Sequence, residues 1–186
     1  MGKTIVPTII SHTFVAIAAA KAFAPADVPR GFYLASVVCS ILPDADVLAF
    51  RFGIPYHHLF GHRGFFHSLT FAVILSGLVT FALLRDAEIL PKRSLFYFLF
   101  FFLVTASHGI LDALTDGGLG IALFAPFDSE RYFFPWTPIK VSPIGLKAFF
   151  SHWGYMVLKS ELLWVWLPST LLMVLALFIR AALRRL

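Results

Sequence analysis

Charge is what this chain has least of: Asp, Glu, Lys and Arg together make up 13% of its 186 residues, against 59% hydrophobic. A single soluble core of that length cannot bury so much apolar surface, which excludes an ordinary water-soluble globule and implies an integral membrane protein. Cysteine is nearly absent as well. With Cys39 alone, an intrachain disulfide is impossible and a zinc knuckle built of thiolates is excluded. No low-complexity tract, repeat or second domain shows, so residues 1–186 read as one membrane unit. The basic excess, formally +5, forms no dense stripe; it is scattered over short loops, which argues against nucleic acid as a partner and for orientation in a bilayer. Of the aromatics, 22 Phe suit lipid-facing and interhelical packing, whereas the Trp and Tyr residues lie mostly near segment ends, where amphipathic rings prefer the interface.

The expected fold class is therefore all-α, a polytopic helical bundle of about five hydrophobic segments. They run from about Thr4 to Ala24, Gly31 to Phe50, Phe66 to Leu84, Ser94 to Leu114 and Leu162 to Ile179. The second is interrupted by Leu42-Pro43-Asp44-Ala45-Asp46, and the missing proline N–H predicts a stop or kink near Ile41. Only the last three read as uninterrupted spans. Lys3 and the Ala22-Phe23-Ala24 run give the first segment the outline of a signal peptide, but Pro25 would follow the cut, so the segment is kept. Between the fourth and fifth segments, Gly117-Gly118, Pro126, Pro135, Pro138 and Pro143 predict a long loop with short structured pieces. Residues 144–159 alternate Leu146, Phe149, Phe150, Trp153 and Met156 with Lys147, Ser151, His152 and Lys159, as an interfacial helix does.

The ionisable residues that matter sit inside or at the mouths of these apolar runs: His12, Asp44, Asp46, His62, His67, His108 and Asp112. An ionisable side chain in hydrocarbon costs roughly 2.5–3.5 kcal/mol on insertion scales, so each needs a partner. Up-and-down threading puts all seven on one side of the membrane, which scattered structural polar residues have no reason to do. Imidazoles mixed with carboxylates are what a divalent metal recruits. His108 and Asp112, four apart, share one helix face; Asp44 and Asp46 repel unless a cation lies between them. The bland alternatives are a structural His–Asp pair and a Pro-Asp helix-stop turn. His57 and His58 read as interface histidines of a loop, with a ligand or proton-shuttle role as the alternative. Arg63, with the amides near Phe65 opening a helix after Gly64, is expected to hold an anionic group. Arg131 and Lys140 are candidate headgroup contacts, although a solvated loop charge is the commoner explanation. Lys21, Arg30, Arg85, Lys92, Arg93, Arg180, Arg184 and Arg185 fall on the other side, so the positive-inside rule turns the seven-residue cluster away from the cytoplasm.

Taken together, Ser11-His12, Leu42-Pro43-Asp44-Ala45-Asp46, His62-Arg63-Gly64-Phe65-Phe66-His67-Ser68 and His108-Gly109-Ile110-Leu111-Asp112 with Thr115 resemble the YdjM-type family of bacterial and archaeal inner-membrane proteins, described as metal-dependent hydrolases. The resemblance runs from about Ile10 to Pro143. The order His, Asp, His, then His-x-x-x-Asp is more distantly similar to zinc-dependent phospholipase C and its related nucleases, which cleave phosphoesters with clustered metals. Their later His-x-x-x-Glu pair has no counterpart here unless His152 contributes.

The resulting expectation is a membrane-embedded hydrolase carrying one or two divalent metals, zinc first and manganese or iron also fitting mixed His and Asp ligands. Such a metal lowers the pKa of a bound water toward about 7 and supplies hydroxide as nucleophile. Arg63 would clamp the anion, and Asp46 or Asp112 would orient the water or accept its proton. A site reached from the bilayer favours a phosphoester of a lipid or lipid-linked substrate. Alternatives are a lipid acyl ester or amide, a non-enzymatic metal-binding or transport protein, and a haem bundle ligated by His12, His67 and His108.

Overall fold

A computed structural model describes residues 5–6, 8–85, 91–143 and 150–185. Lys3 and residues 144–149, with Leu146, Lys147 and Phe149, lie outside the described residues. Helix α1, Ile9–Phe23, starts at Thr8, whose hydroxyl caps it by accepting from the Ser11 N–H at 3.3 Å. Helix α2, Phe32–Ile41, runs without a break into a 3-10 helix, Leu42–Phe52. The expected interruption is thus a change of helix type. Pro43 sits in the first turn of the new helix, where its missing N–H leaves no bond unmade.

Helix α3, Leu69–Leu84, is capped by Ser68 and preceded by one 3-10 turn, Phe65–His67. At 1.5 Å per residue α3 is about 24 Å long, short of the ~30 Å hydrocarbon thickness, so the third segment is not a full α-helical span. Helix α4, Pro91–Ala113, is. The last segment begins earlier than expected: α5, His152–Glu161, passes through a π-helical turn, Leu162–Trp166, into α6, Leu167–Leu183. Three stretches, Phe32–Phe52, Pro91–Ala113 and His152–Leu183, are long and apolar enough to cross a membrane. Among the described residues the extended structure is confined to short pieces, chiefly a two-residue antiparallel pairing of β1, Ile5–Val6, with β2, Ser142–Pro143.

The core lies where α1, α2, α3 and α4 meet. Ala16, Ala20 and Ala24 let α1 approach closely, and Phe32, Tyr97, Phe100 and Phe101 fill the space with tilted and edge-to-face rings. Hydroxyls within the apolar helices bond back to their own turns: Ser36 to Phe32 O, Ser76 to Val73 O and Thr105 to Phe101 O. That satisfies them where no water reaches. By contrast only Gly154, Val157, Glu161 and Val165 of the last span are buried, and α6 buries no residue, so its leucines and phenylalanine are left for lipid. The loop from Thr115 to Val141 is laced back onto the bundle. The Ala122 N–H donates to Arg63 O, the Phe134 N–H to Ala113 O and the Leu69 N–H to Leu123 O, each at 3.0 Å.

Candidate metal centre

Each element ends in a contribution to one place. The first turn of α1 brings His12, the start of the 3-10 helix brings Asp44 and Asp46, the turn before α3 brings His67, and the last turns of α4 bring His108 and Asp112. All but Asp44 have fully buried side chains; Asp44 keeps 14% exposure and is the donor through which the cluster meets its surroundings. Gly109 is what lets α4 come this close. A Cβ there would stand 2.8 Å from His67 O.

A hydrogen bond fixes the His108 tautomer. His108 Nδ1 lies 2.6 Å from Ser40 O, and a carbonyl only accepts, so the proton is on Nδ1 and Nε2 turns its lone pair inward. His67 Nδ1 lies 3.1 Å from Asp46 Oδ2 without a well-formed hydrogen bond, and its Nε2 points inward. The two Nε2 atoms are 3.1 Å apart. Two lone pairs that close repel unless a proton or a metal cation lies between them. Around that point stand Asp44 Oδ1, 3.4 Å from His108 Nε2 and 3.6 Å from His67 Nε2, and Asp112 Oδ2, 3.2 Å from His67 Nε2 and 4.0 Å from His108 Nε2. Donors at 2.0–2.1 Å from a tetrahedral zinc are separated by roughly 3.3 Å. The N–N and N–O separations of 3.1–4.0 Å are close to that spacing, all four donor atoms lie within 4.8 Å of one another, and the group formed by Asp44, His67, His108 and Asp112 is able to hold a metal ion. The orphaned atoms agree: Asp44 Oδ1 and both Asp112 carboxylate oxygens are buried and accept no well-formed hydrogen bond among the described residues.

A second group, Asp46, His62 and His67, is also compact enough to hold an ion. Its His62 Nδ1–Asp46 Oδ1 separation is 2.6 Å, however, which is a hydrogen-bond distance, and Asp46 Oδ2 also accepts from the Arg63 N–H at 3.0 Å. Asp46 therefore steers His67 from behind, as carboxylates behind metal-binding imidazoles do. His62 keeps a buried, unpaired Nε2. His12 stacks on His108 with ring centroids 3.8 Å apart, and its Nε2 stands 3.5 Å from Asp112 Oδ1 with no hydrogen bond to either ring nitrogen.

Arg63 is placed differently from the expectation. Its side chain is wholly buried, Nη1 donating to Gly117 O at 2.9 Å, Nη2 to Thr115 Oγ1 at 3.1 Å, and Nε lying 3.2 Å from Asp112 Oδ2. The guanidinium is wholly enclosed among Asp112, Thr115 and Gly117. Gly118, at φ +92, makes room for it; a Cβ there would stand 2.8 Å from Nη1. The amides offered at Phe65 are taken as well, Phe65 N–H by Leu59 O and His67 N–H by Gly64 O, in a single 3-10 turn and not at the start of a long helix. Arg131, a candidate headgroup contact, turns its two amino groups to the carbonyls of Tyr56, His58, His62, Arg63 and Gly120, pinning the loop that carries His62. Burial pulls its pKa below the usual arginine value. Lys140 pairs with Asp116 at 2.6 Å. His57, His58 and His152 are exposed and stand apart from the buried cluster.

One residue escaped the sequence reading. Glu161 is wholly buried, accepting from Thr8 N–H and Thr8 Oγ1 at 2.6 Å and from Ser11 Oγ at 2.8 Å. Ser11 in turn accepts from Trp166 Nε1 at 2.7 Å. This network joins the last helix to the turn of α1 that carries His12. The signal was present, since Glu161 is an acidic residue bordering a long apolar run.

Fold and donor cluster together define a multi-pass helical membrane protein with a buried His/Asp group able to hold a metal ion. The chain belongs to the YdjM inner membrane protein family, whose model matches residues 7–185. It is similar to the inner membrane protein YbcI of Escherichia coli strain K12, with 40% identity over 167 residues, covering 90% of this chain and 95% of that one. No solved structure matches it. Its place is the inner membrane.

Proposed function

We propose that this protein is a membrane-embedded, metal-dependent hydrolase acting on a phosphoester of a lipid or lipid-linked substrate. The observation that carries the reading is the convergence of two inward Nε2 lone pairs and two orphaned carboxylates on one buried point. His67, His108, Asp44 and Asp112 would hold the ion, and the near-tetrahedral spacing of two nitrogens and two oxygens favours zinc over manganese or iron. When bound, the ion acidifies water and polarises a phosphoryl oxygen.

The chain's own residues supply the remainder. Asp46, held by His62 and the Arg63 amide, stands 3.1 Å behind His67 Nδ1 and orients its ring with Nε2 toward the ion. Arg63 holds Asp112 in place and compensates its charge in a region without water. His12 Nε2, unpaired and 3.5 Å from Asp112 Oδ1, together with that oxygen, is positioned to take up a proton. Asp44, the only one of the four whose side chain is not fully buried, marks the side from which substrate arrives. The membrane setting favours a lipid-borne phosphoester over a soluble one, and the site is read as opening on the extracytoplasmic face.

The test is metal analysis of protein purified in detergent, followed by hydrolysis assays over lipid phosphoesters, acyl esters and amides. Wild type should carry about one equivalent of zinc, lose it in the His67→Ala/His108→Ala double variant, and release phosphate or a phosphorylated headgroup. Equal metal content in the two proteins would overturn the site. Cleavage of acyl esters or amides alone would overturn the phosphoester.

A further inference from the structure

A cavity of about 420 Å³ opens beside the cluster, between the 3-10 helix Leu42–Phe52 and the start of α3. Its walls are Leu42, Ala45, Ala49, Ile54 and the rings of Phe60, Phe66 and Phe71, with the backbone of Asp46, whose side chain is wholly buried and turned to His62 and the Arg63 N–H. The size suits a ligand pocket. Two features separate it from an ordinary lipid-facing groove. The first is its wall, the second half of Phe32–Phe52, a stretch apolar and long enough to cross a membrane. The second is continuity with the cluster. The run 42–46 lines the cavity through Leu42, Ala45 and Asp46 and carries Asp44, the one donor of the four whose side chain is not fully buried, between them. The comparable groove along α1 and α4, lined by Val15, Phe96, Leu103 and others, includes no residue of the cluster.

We infer that this cavity holds a hydrocarbon chain of the lipid whose phosphorylated headgroup meets the cluster at Asp44. The inference rests on the hydrolase reading for what happens to that headgroup, but not for the binding itself. An acyl and an isoprenyl chain share the chemistry the walls recognise, so both belong in the test.

Ala45 is exposed at the mouth and Ala49 is nearly buried in the wall, so Ala45→Trp fills the cavity without entering the packed core and Ala49→Phe narrows it from inside. Binding of dioleoyl phosphatidylglycerol and of a polyisoprenyl phosphate to full-length protein in detergent is measured by native mass spectrometry, with dihexanoyl phosphatidylglycerol as the short-chain control and metal content read on the same samples. Losing the burial of a few methylenes should weaken the long-chain ligands about tenfold or more, leaving the short-chain ligand and the metal unchanged. Preference for one long-chain probe identifies the chain type. Equal long-chain binding by wild type and both variants would overturn the cavity. If wild type cleaves no lipid phosphoester while long-chain binding still depends on Ala45, the hydrolase reading fails and the chain site stands. If the variants hydrolyse long and short chains as wild type does, the hydrolase stands and the chain site falls.

Discussion

Replacing Arg63 separates a structural guanidinium from a substrate-binding one. In the wild type it has no exposed surface and three partners, Gly117 O at 2.9 Å, Thr115 Oγ1 at 3.1 Å and Asp112 Oδ2 at 3.2 Å. Arg63→Ala leaves Asp112 uncompensated and a carbonyl without a donor; deleting one partner of a buried ion pair costs about 3–5 kcal/mol. Arg63→Lys restores the charge without the fork. One ammonium can serve Asp112 or the Thr115–Gly117 turn but not both, so the loss falls to about 1–3 kcal/mol. For a chain of this size 1 kcal/mol corresponds to roughly 2–4 °C in Tm, so Arg63→Ala should melt roughly 6–20 °C below wild type. Cys39 is the single cysteine and is fully buried, so uptake of a thiol-reactive dye during heating in detergent reports the unfolding. The order expected is wild type, then lysine, then alanine. Melting of both variants within ~0.5 kcal/mol of wild type, the range of ordinary surface substitutions, would refute the buried fork and return Arg63 to the role of an anion contact.

Glu161→Ala removes the acceptor for three buried donors and should cost about 3 kcal/mol in the same dye assay, with Glu161→Gln losing less because one oxygen remains to accept; unchanged melting of the alanine variant would show that Thr8 and Ser11 need no acceptor there. Reporter fusions should place the tail beyond Arg180, Arg184 and Arg185 in the cytoplasm and the loop 128–140 outside it. A cytoplasmic signal from the loop would reverse the orientation and leave the donor cluster as it is.

The meeting of His12, Asp44, His67, His108 and Asp112 was legible because membrane insertion makes an ionisable residue expensive, so its presence in an apolar run carries information, and the parity of up-and-down threading does the rest. The contribution of Asp46 and His62 to the same neighbourhood was legible on the same grounds, but not that they would bind each other. What the pattern could not show is the direction in which a loop arginine turns. Arg63 reads in the sequence as an anion contact and Arg131 as a headgroup contact or a solvated loop charge, and both turn inward onto carbonyls of the loop backbones beside them. Pro43 was read as a stop because proline ends α-helices; a 3-10 helix taking over at Leu42 accommodates it in its first turn. Glu161 was missed because the last segment was drawn from Leu162, and one residue of boundary error hid an acidic side chain inside the span.

The last helix is fastened to α1 at both ends. Glu161 and Trp166 hold the turn around Thr8 and Ser11, and Arg180 donates to the carbonyls of Ala22 and Ala24 at 2.8 Å each. Helix α1 is thus clasped by a helix that follows it in the chain by some 150 residues. Until that late helix inserts, the amino-terminal turn lacks its acceptor and His12 lacks its anchorage, whereas the segments carrying Asp44, His67, His108 and Asp112 are already in the membrane. On that order, assembly is expected in two stages, a donor cluster formed by the middle of the chain and a later clasp that holds the turn carrying His12 beside His108. Ribosome-stalled chains ending before Glu161 should hold the first without the second.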